Sequence, residues 1–287
     1  MSAACLAQTN IESLQKQAEA GVARAQLELA SAYMSGDGVA QDYAKAAGWT
    51  RKCAEQNDPS GQYMLGIISF QGLGVNQDIA EGVRWMHAAA ENGHPKAQLI
   101  LGELYFDGEY VPKDVQKGIS WWRESARQGN PDAQYNLGLL YARGNGVPQN
   151  FAEAARWYGL AAEKGSINAI TNLAVMYARG QGVEQDYAEA ARLYLKAAEL
   201  GDADAMYNLG GLFYRGLGVP RSLATAVNLW KAAAEKGTVR AAHNVALLYG
   251  RGEGVPQDYG QAVRYYRIGA DKGFALSQYN LGTMYDN

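Results

Sequence analysis

The stretch Ala133–Asn168, AQYNLGLLYARGNGVPQNFAEAARWYGLAAEKGSIN, decides the fold. Apolar or small residues at Ala133, Leu137, Leu140 and Tyr141, and again at Ala154, Trp157, Ala161 and Ala162, recur at helical spacing and predict two amphipathic helices. Between them lies Gly144-Asn145-Gly146-Val147-Pro148. A helix interior excludes such a run, because Gly loses too much entropy there and Pro lacks the donor. The segment reads as a helical hairpin.

The same register returns every 36 residues at Ala25, Gly61, Ala97, Ala133, Ala169, Ala205, Ala241 and Ser277. One hairpin cannot bury its own apolar face, so the units must stack. The predicted fold is all-α, a right-handed α/α superhelical solenoid of seven full helix-turn-helix repeats and one partial repeat. The expected organisation is a flexible segment over 1–10, a capping helix over 11–24 carried by Ile11, Leu14 and Ala18, and the solenoid over 25–287.

Start and stop signals agree in every copy. Gly36, Gly72, Gly108, Gly144, Gly180, Gly216 and Gly252 suit a left-handed residue closing the first helix. Asp42, Asp78, Asp114, Asn150, Asp186, Ser222 and Asp258 are preferred N-caps for the second, with Glu81, Glu153 and Glu189 placed as reciprocal arms of capping boxes. Asn57, Gly93, Gly129, Gly165, Gly201, Gly237 and Gly273 are expected to close it. Small residues such as Gly66, Gly102, Gly138 and Gly210 let helices approach, and Trp49, Trp85, Trp121 and Trp157 fill the layers between them. The third unit has Glu109-Tyr110 where the second turn glycine belongs, so a locally altered turn is expected there.

The pattern A-x-x-x-L-G-x-x-Y-x-x-G-x-G-V-x-x-D-x-x-x-A-x-x-W-x-x-x-A-A-x-x-G, seen in Ala133–Gly165 with Asn150 at the Asp position, resembles the Sel-one-like repeat, a relative of the tetratricopeptide repeat. The resemblance implies an adaptor with no catalytic residues to carry over. Some relatives staple each repeat with a disulfide. Cys5 and Cys53 cannot do so here, and Cys53 is expected to be a small buried thiol.

Composition excludes other classes. The chain has 287 residues, 48% apolar, with a formal net charge of −3, and no Lys/Arg run, so nothing points to nucleic acid. No stretch reaches the ~20 apolar residues of a membrane span. Met1–Ala7 lacks a basic start and a full hydrophobic region but reads as the tail of an export signal, and both ends read as cut from a longer protein. Leu281, Met284 and Tyr285 are then expected to leave an apolar strip open, either for head-to-tail pairing with a second molecule or for a missing continuation.

Chemistry is mostly absent. His87 and His94 are separated by the end of a helix, His243 has no sequence partner, and the repeated Gly-x-Gly follows no strand, so no metal or phosphate site is predicted and no cofactor is expected. The chain is read as not an enzyme.

The groove carries the one functional signal. With the core stripe of the first helix placed inward, Asn136, Asn172, Asn208, Asn244 and Asn280 form one ladder on the opposite face, and Arg143, Arg179, Arg215 and Arg251 a second. Tyr135, Tyr207, Tyr214, His243 and Tyr279 lie among them. Asn both donates and accepts, which suits an extended peptide backbone, and Arg offers a planar fork to carboxylates. The early units instead present Tyr63, Met64, Ile67, Phe70, Leu99 and Phe106 with Glu28, Glu103 and Asp107. The competing reading is structural, with Asn and Arg satisfying neighbouring helix ends.

Together these features predict a non-catalytic adaptor, monomeric, gripping another protein in its groove as an extended peptide or a toxin domain. The resemblance adds an immunity protein as a variant and a periplasmic or secreted location, with the cytoplasm as the alternative. An enzyme or carbohydrate-binding regulator, and a purely structural assembly, are the other classes.

Overall fold

The computed structural model describes residues 3–285, with side chains described over 11–284. The export-signal reading of Met1–Ala7 and the Tyr285 part of the apolar strip fall on side chains outside the described residues. An N-terminal helix, α1 (Ala3–Glu19), precedes seven hairpins. They are α2 (Ala23–Ser35) with α3 (Tyr43–Ala54), α4 (Pro59–Gln71) with α5 (Ile79–Glu91), α6 (Pro95–Asp107) with α7 (Val115–Arg127), and α8 (Pro131–Arg143) with α9 (Phe151–Glu163). There follow α10 (Ile167–Arg179) with α11 (Tyr187–Glu199), α12 (Ala203–Arg215) with α13 (Leu223–Glu235), α14 (Val239–Arg251) with α15 (Tyr259–Asp271), and the single helix α16 (Ala275–Tyr285). Among the described residues there is no strand.

Each second helix starts at the residue after its predicted cap. The Asp42 carboxylate accepts from Lys45 N–H at 2.9 Å, Asp78 from Glu81 at 2.8 Å, and Asp258 from Gln261 at 2.9 Å. Asn57 closes α3 with φ 62°, the one Asn in a column of left-handed glycines. The reciprocal arm of the capping box is absent. The cap N–H groups of Asp42 and Asp78 instead donate to the carbonyls of Tyr33 and Ser69 on the preceding helix, and Glu81 turns to Arg51, Ser69 and Trp85. The altered turn expected at Glu109-Tyr110 is also not found. Tyr110 takes the left-handed backbone of the missing glycine, φ 61°, and so keeps the turn of its neighbours at a steric cost of about 1–2 kcal/mol.

The chain groups into two compact units, Met1–Leu137 and Gly138–Asn287. In the first, Leu29, Leu65, Ile68, Met86 and Leu101 are fully buried. Buried glutamines tie successive repeats: Gln26, Gln62, Gln98 and Gln134 donate to the carbonyls of Ala18, Ala54, Ala90 and Ala126. Three of these glutamines in turn accept from Gln56, Asn92 and Gln128, each at 2.8 Å. Cys53 is fully buried, and burial pushes its thiol up to about 12, so it is inert at neutral pH.

In the second unit, Val227, Trp230, Val245, Leu248, Tyr265 and Tyr266 form one core. Leu281 and Met284 pack against it. The exposed apolar side chains of α16 are instead Leu276 and Tyr279, which corrects the strip expected from the sequence. Among the described residues, no helix is long and apolar enough to cross a membrane.

Candidate functional site

The seven-residue step from Asn to Arg spans about two helical turns, so both side chains emerge on one face of each first helix. Three successive copies, on α10, α12 and α14, come together in the second unit. A pocket of about 610 Å³ is lined by Asn172 and Arg179 from α10 and by Tyr207, Asn208 and Arg215 from α12. A second, of about 240 Å³, shares Tyr207, Asn208 and Arg215 and adds Tyr214, Asn244 and Arg251. Eight of the residues predicted from sequence therefore line one continuous pair of pockets: Asn172, Arg179, Tyr207, Asn208, Tyr214, Arg215, Asn244 and Arg251. Arg143, Arg179, Arg215 and Arg251 are all exposed rather than packed between repeats. Arg251 lies 3.8 Å from Glu253 and Arg215 Nε donates to the Gly211 carbonyl at 3.4 Å, contacts loose enough to be exchanged for a ligand.

The remaining candidates sit elsewhere. His243 is 8% exposed, with its ring edge-on to Tyr266 and Phe274 at 5.4 Å each and Nδ1 3.1 Å from Ser277 Oγ. Burial holds its pKa below the usual histidine value, so it is a neutral core residue at pH 7. Asn136 donates to Glu103 at 3.5 Å, and Asn280 donates to the Tyr266 hydroxyl at 3.2 Å. In the first unit Tyr63 stacks on His94 at 4.4 Å, Phe70 lies 6.3 Å from the Tyr110 ring, and Phe106 lies 4.7 Å from Trp122, so these three half-buried aromatics are engaged within the protein.

Sequence reasoning missed the floor of the pockets. It placed the tryptophans Trp121 and Trp157 as layer fillers and passed over the next position, which runs Trp122, Tyr158, Tyr194, Trp230 and Tyr266. Trp230 Nε1 donates to the Tyr207 carbonyl at 2.9 Å, and its ring lies 5.5 Å from Tyr214, so it fixes both tyrosines at the mouth. Tyr194 is buried, and burial pushes its phenol up to about 12 against the pull of the Arg179 guanidinium. Arg240, with its guanidinium 5.1 Å above the Tyr207 ring, adds a further cation that follows no repeat and so carried no periodic signal.

This arrangement can hold an extended chain: amides for its backbone, cations for its carboxylates, rings for its apolar groups. Among the described residues, no group of three or more His, Cys, Asp or Glu side chains is placed to hold a metal ion.

The family profile described as Sel1 repeat matches residues 23–58, 59–94, 95–130, 131–166, 167–202, 203–238, 239–274 and 275–287. Among solved structures, a protective antigen of uropathogenic Escherichia coli displaying an SLR fold is 35% identical over 96% of this chain, with a TM-score of 0.91; this chain spans 59% of that one. A Sel1 repeat protein from Oxalobacter formigenes is 33% identical, covering 99% of this chain and 82% of its own, with a TM-score of 0.72. An immunity protein from Pseudomonas aeruginosa is 26% identical over 68% of this chain and 74% of its own, but at a TM-score of 0.45 the likeness carries no weight for function. No curated protein matches the chain.

Proposed function

The chain belongs to the Sel1 repeat family, and on that premise we propose that it is a non-catalytic adaptor that holds an extended segment of a partner protein against α10, α12 and α14. Scaffolds of this repeat are typical of protein-interaction adaptors. One observation supports the finer reading: the Asn and Arg ladders converge on two adjoining pockets, and the three arginines there are exposed, Arg215 making one long bond to the Gly211 carbonyl of its own helix. The helix ends have their own partners. The carbonyls of Ala178, Tyr214 and Gly250 accept from Gln185, Arg221 and Gln257, so the last turns of α10, α12 and α14 do not need the pocket arginines.

The test is charge reversal. Arg179→Glu with Arg215→Glu is expected to abolish retention of the protein that the wild-type chain captures from a lysate of its source organism. Stability should change by less than about 1 kcal/mol, as for ordinary surface substitutions. Equal retention by both chains would overturn the proposal, as would the absence of any retained protein.

A further inference from the structure

The repeat register shows where the groove floor differs. The fifth residue of the first helices is tyrosine at Tyr63, Tyr135, Tyr207 and Tyr279, leucine at Leu27 and Leu99 and histidine at His243, but the smaller threonine at Thr171. The floor position is tryptophan in the third and sixth repeats and tyrosine in the fourth, fifth and seventh, at Tyr158, Tyr194 and Tyr266. In those two tryptophan repeats, Trp122 Nε1 donates to the Leu99 carbonyl and Trp230 Nε1 to the Tyr207 carbonyl. Thr171, the smallest side chain of its column, leaves a notch in the larger pocket, which Tyr194 also lines. The Thr171 hydroxyl is buried there without a hydrogen-bond partner, in a residue only 8% exposed. Leaving such a group unbonded is unfavourable, so a ligand that bonds it gains from doing so.

The surroundings say what that ligand is. Arg179, Arg215 and Arg240 line the same pocket against a single carboxylate, Asp204, so the wall is cationic by two charges. Thr171 and Tyr194 bring hydroxyls and the arginines bring guanidinium forks to the lining of this one pocket, a set of donors that fits an oxyanion. Asn172 and Asn208 continue the ladder past the notch toward Asn244, so the groove runs on beyond the notch. We infer that the notch floored by Thr171 and Tyr194 receives the carboxylate of an Asp or Glu side chain within the partner's extended segment, an assignment that rests on the adaptor reading above.

The probe is a library of random twelve-residue peptides displayed with fused C-termini, so that only side-chain carboxylates are offered, selected on the full chain. The best binder is then synthesised with an amidated end and titrated calorimetrically. Selected peptides should be enriched in Asp or Glu at one position, and converting that residue to its amide should weaken binding roughly 10- to 100-fold, the loss of a charge-assisted hydrogen bond. Thr171→Val and Tyr194→Phe should each weaken the acidic peptide but leave the amide peptide unaffected. The Tm of Thr171→Val should not fall, since its hydroxyl has no partner in the protein. Peptides that bind with no acidic preference, or a Thr171→Val variant that loses stability, overturn the notch while leaving the adaptor reading intact. A chain that selects no peptide at all overturns both.

Discussion

At the residue scale, Glu81 shows how a position read as a cap can serve a different interaction. Its carboxylate accepts from Arg51 at 2.9 Å, from Trp85 Nε1 at 3.3 Å and from Ser69 at 3.3 Å, joining α3, α4 and α5. The Arg51 hydrogen bond is the main reason that its pKa lies below the ordinary carboxylate value. A depressed folded-state pKa gives stability that is present above the unfolded value, near ~4.3, and is lost as the pH falls through the folded value. Thermal melts from pH 7 down to pH 2 should therefore show wild type above Glu81→Gln at neutral pH, with the gap closing in acid. A gap that widens in acid would refute the assignment. Nothing in the sequence distinguished Glu81 from Glu153 or Glu189, which pair locally with Arg156 and Arg192, because the partner Arg51 lies on the second helix of the preceding repeat.

At the scale of the element, caps and turns were legible because each demands a particular backbone angle, and few residues supply it. Tyr110 marks the limit of that logic: the repeat around it over-determines the turn, and the residue yields. Buried glutamines were not legible, since Gln98 looks like surface until the Ala90 carbonyl and the Gln128 amide are seen to claim it. The small residues of the first helices were read correctly as close-approach sites, but their partners were not named. A Cβ on Gly210 would stand 2.6 Å from Trp230 Nε1, whereas one on Gly159, inside α9, would meet nothing within 4 Å. Gly210→Ala should thus lower stability by about 1–3 kcal/mol through overpacking, and Gly159→Ala should raise it by roughly 0.5–1 kcal/mol through helix propensity. Denaturant midpoints for the two variants provide the check. Equal effects would mean that the close approach at Trp230 carries no energetic weight.

At the scale of the whole molecule, repetition made the fold readable and also obscured the site. A 36-residue period announces stacked hairpins, yet it presents every ladder position as equivalent. Only coordinates separate Asn208, which lines both pockets, from Asn136 and Asn280, which bond within the protein. Asymmetry between copies is the useful signal, as Thr171 and Arg240 show. The central claim, that the partner lies along α10, α12 and α14, is tested most directly by site-specific photocrosslinking on the full chain. Benzoylphenylalanine is placed at Tyr207 or Tyr214 in the pockets and, as a control, at Leu195, which is 49% exposed on α11 and lines neither. The account predicts a crosslinked partner from Tyr207 and Tyr214 and none from Leu195; crosslinks from Leu195 with none from the two pocket positions would contradict it.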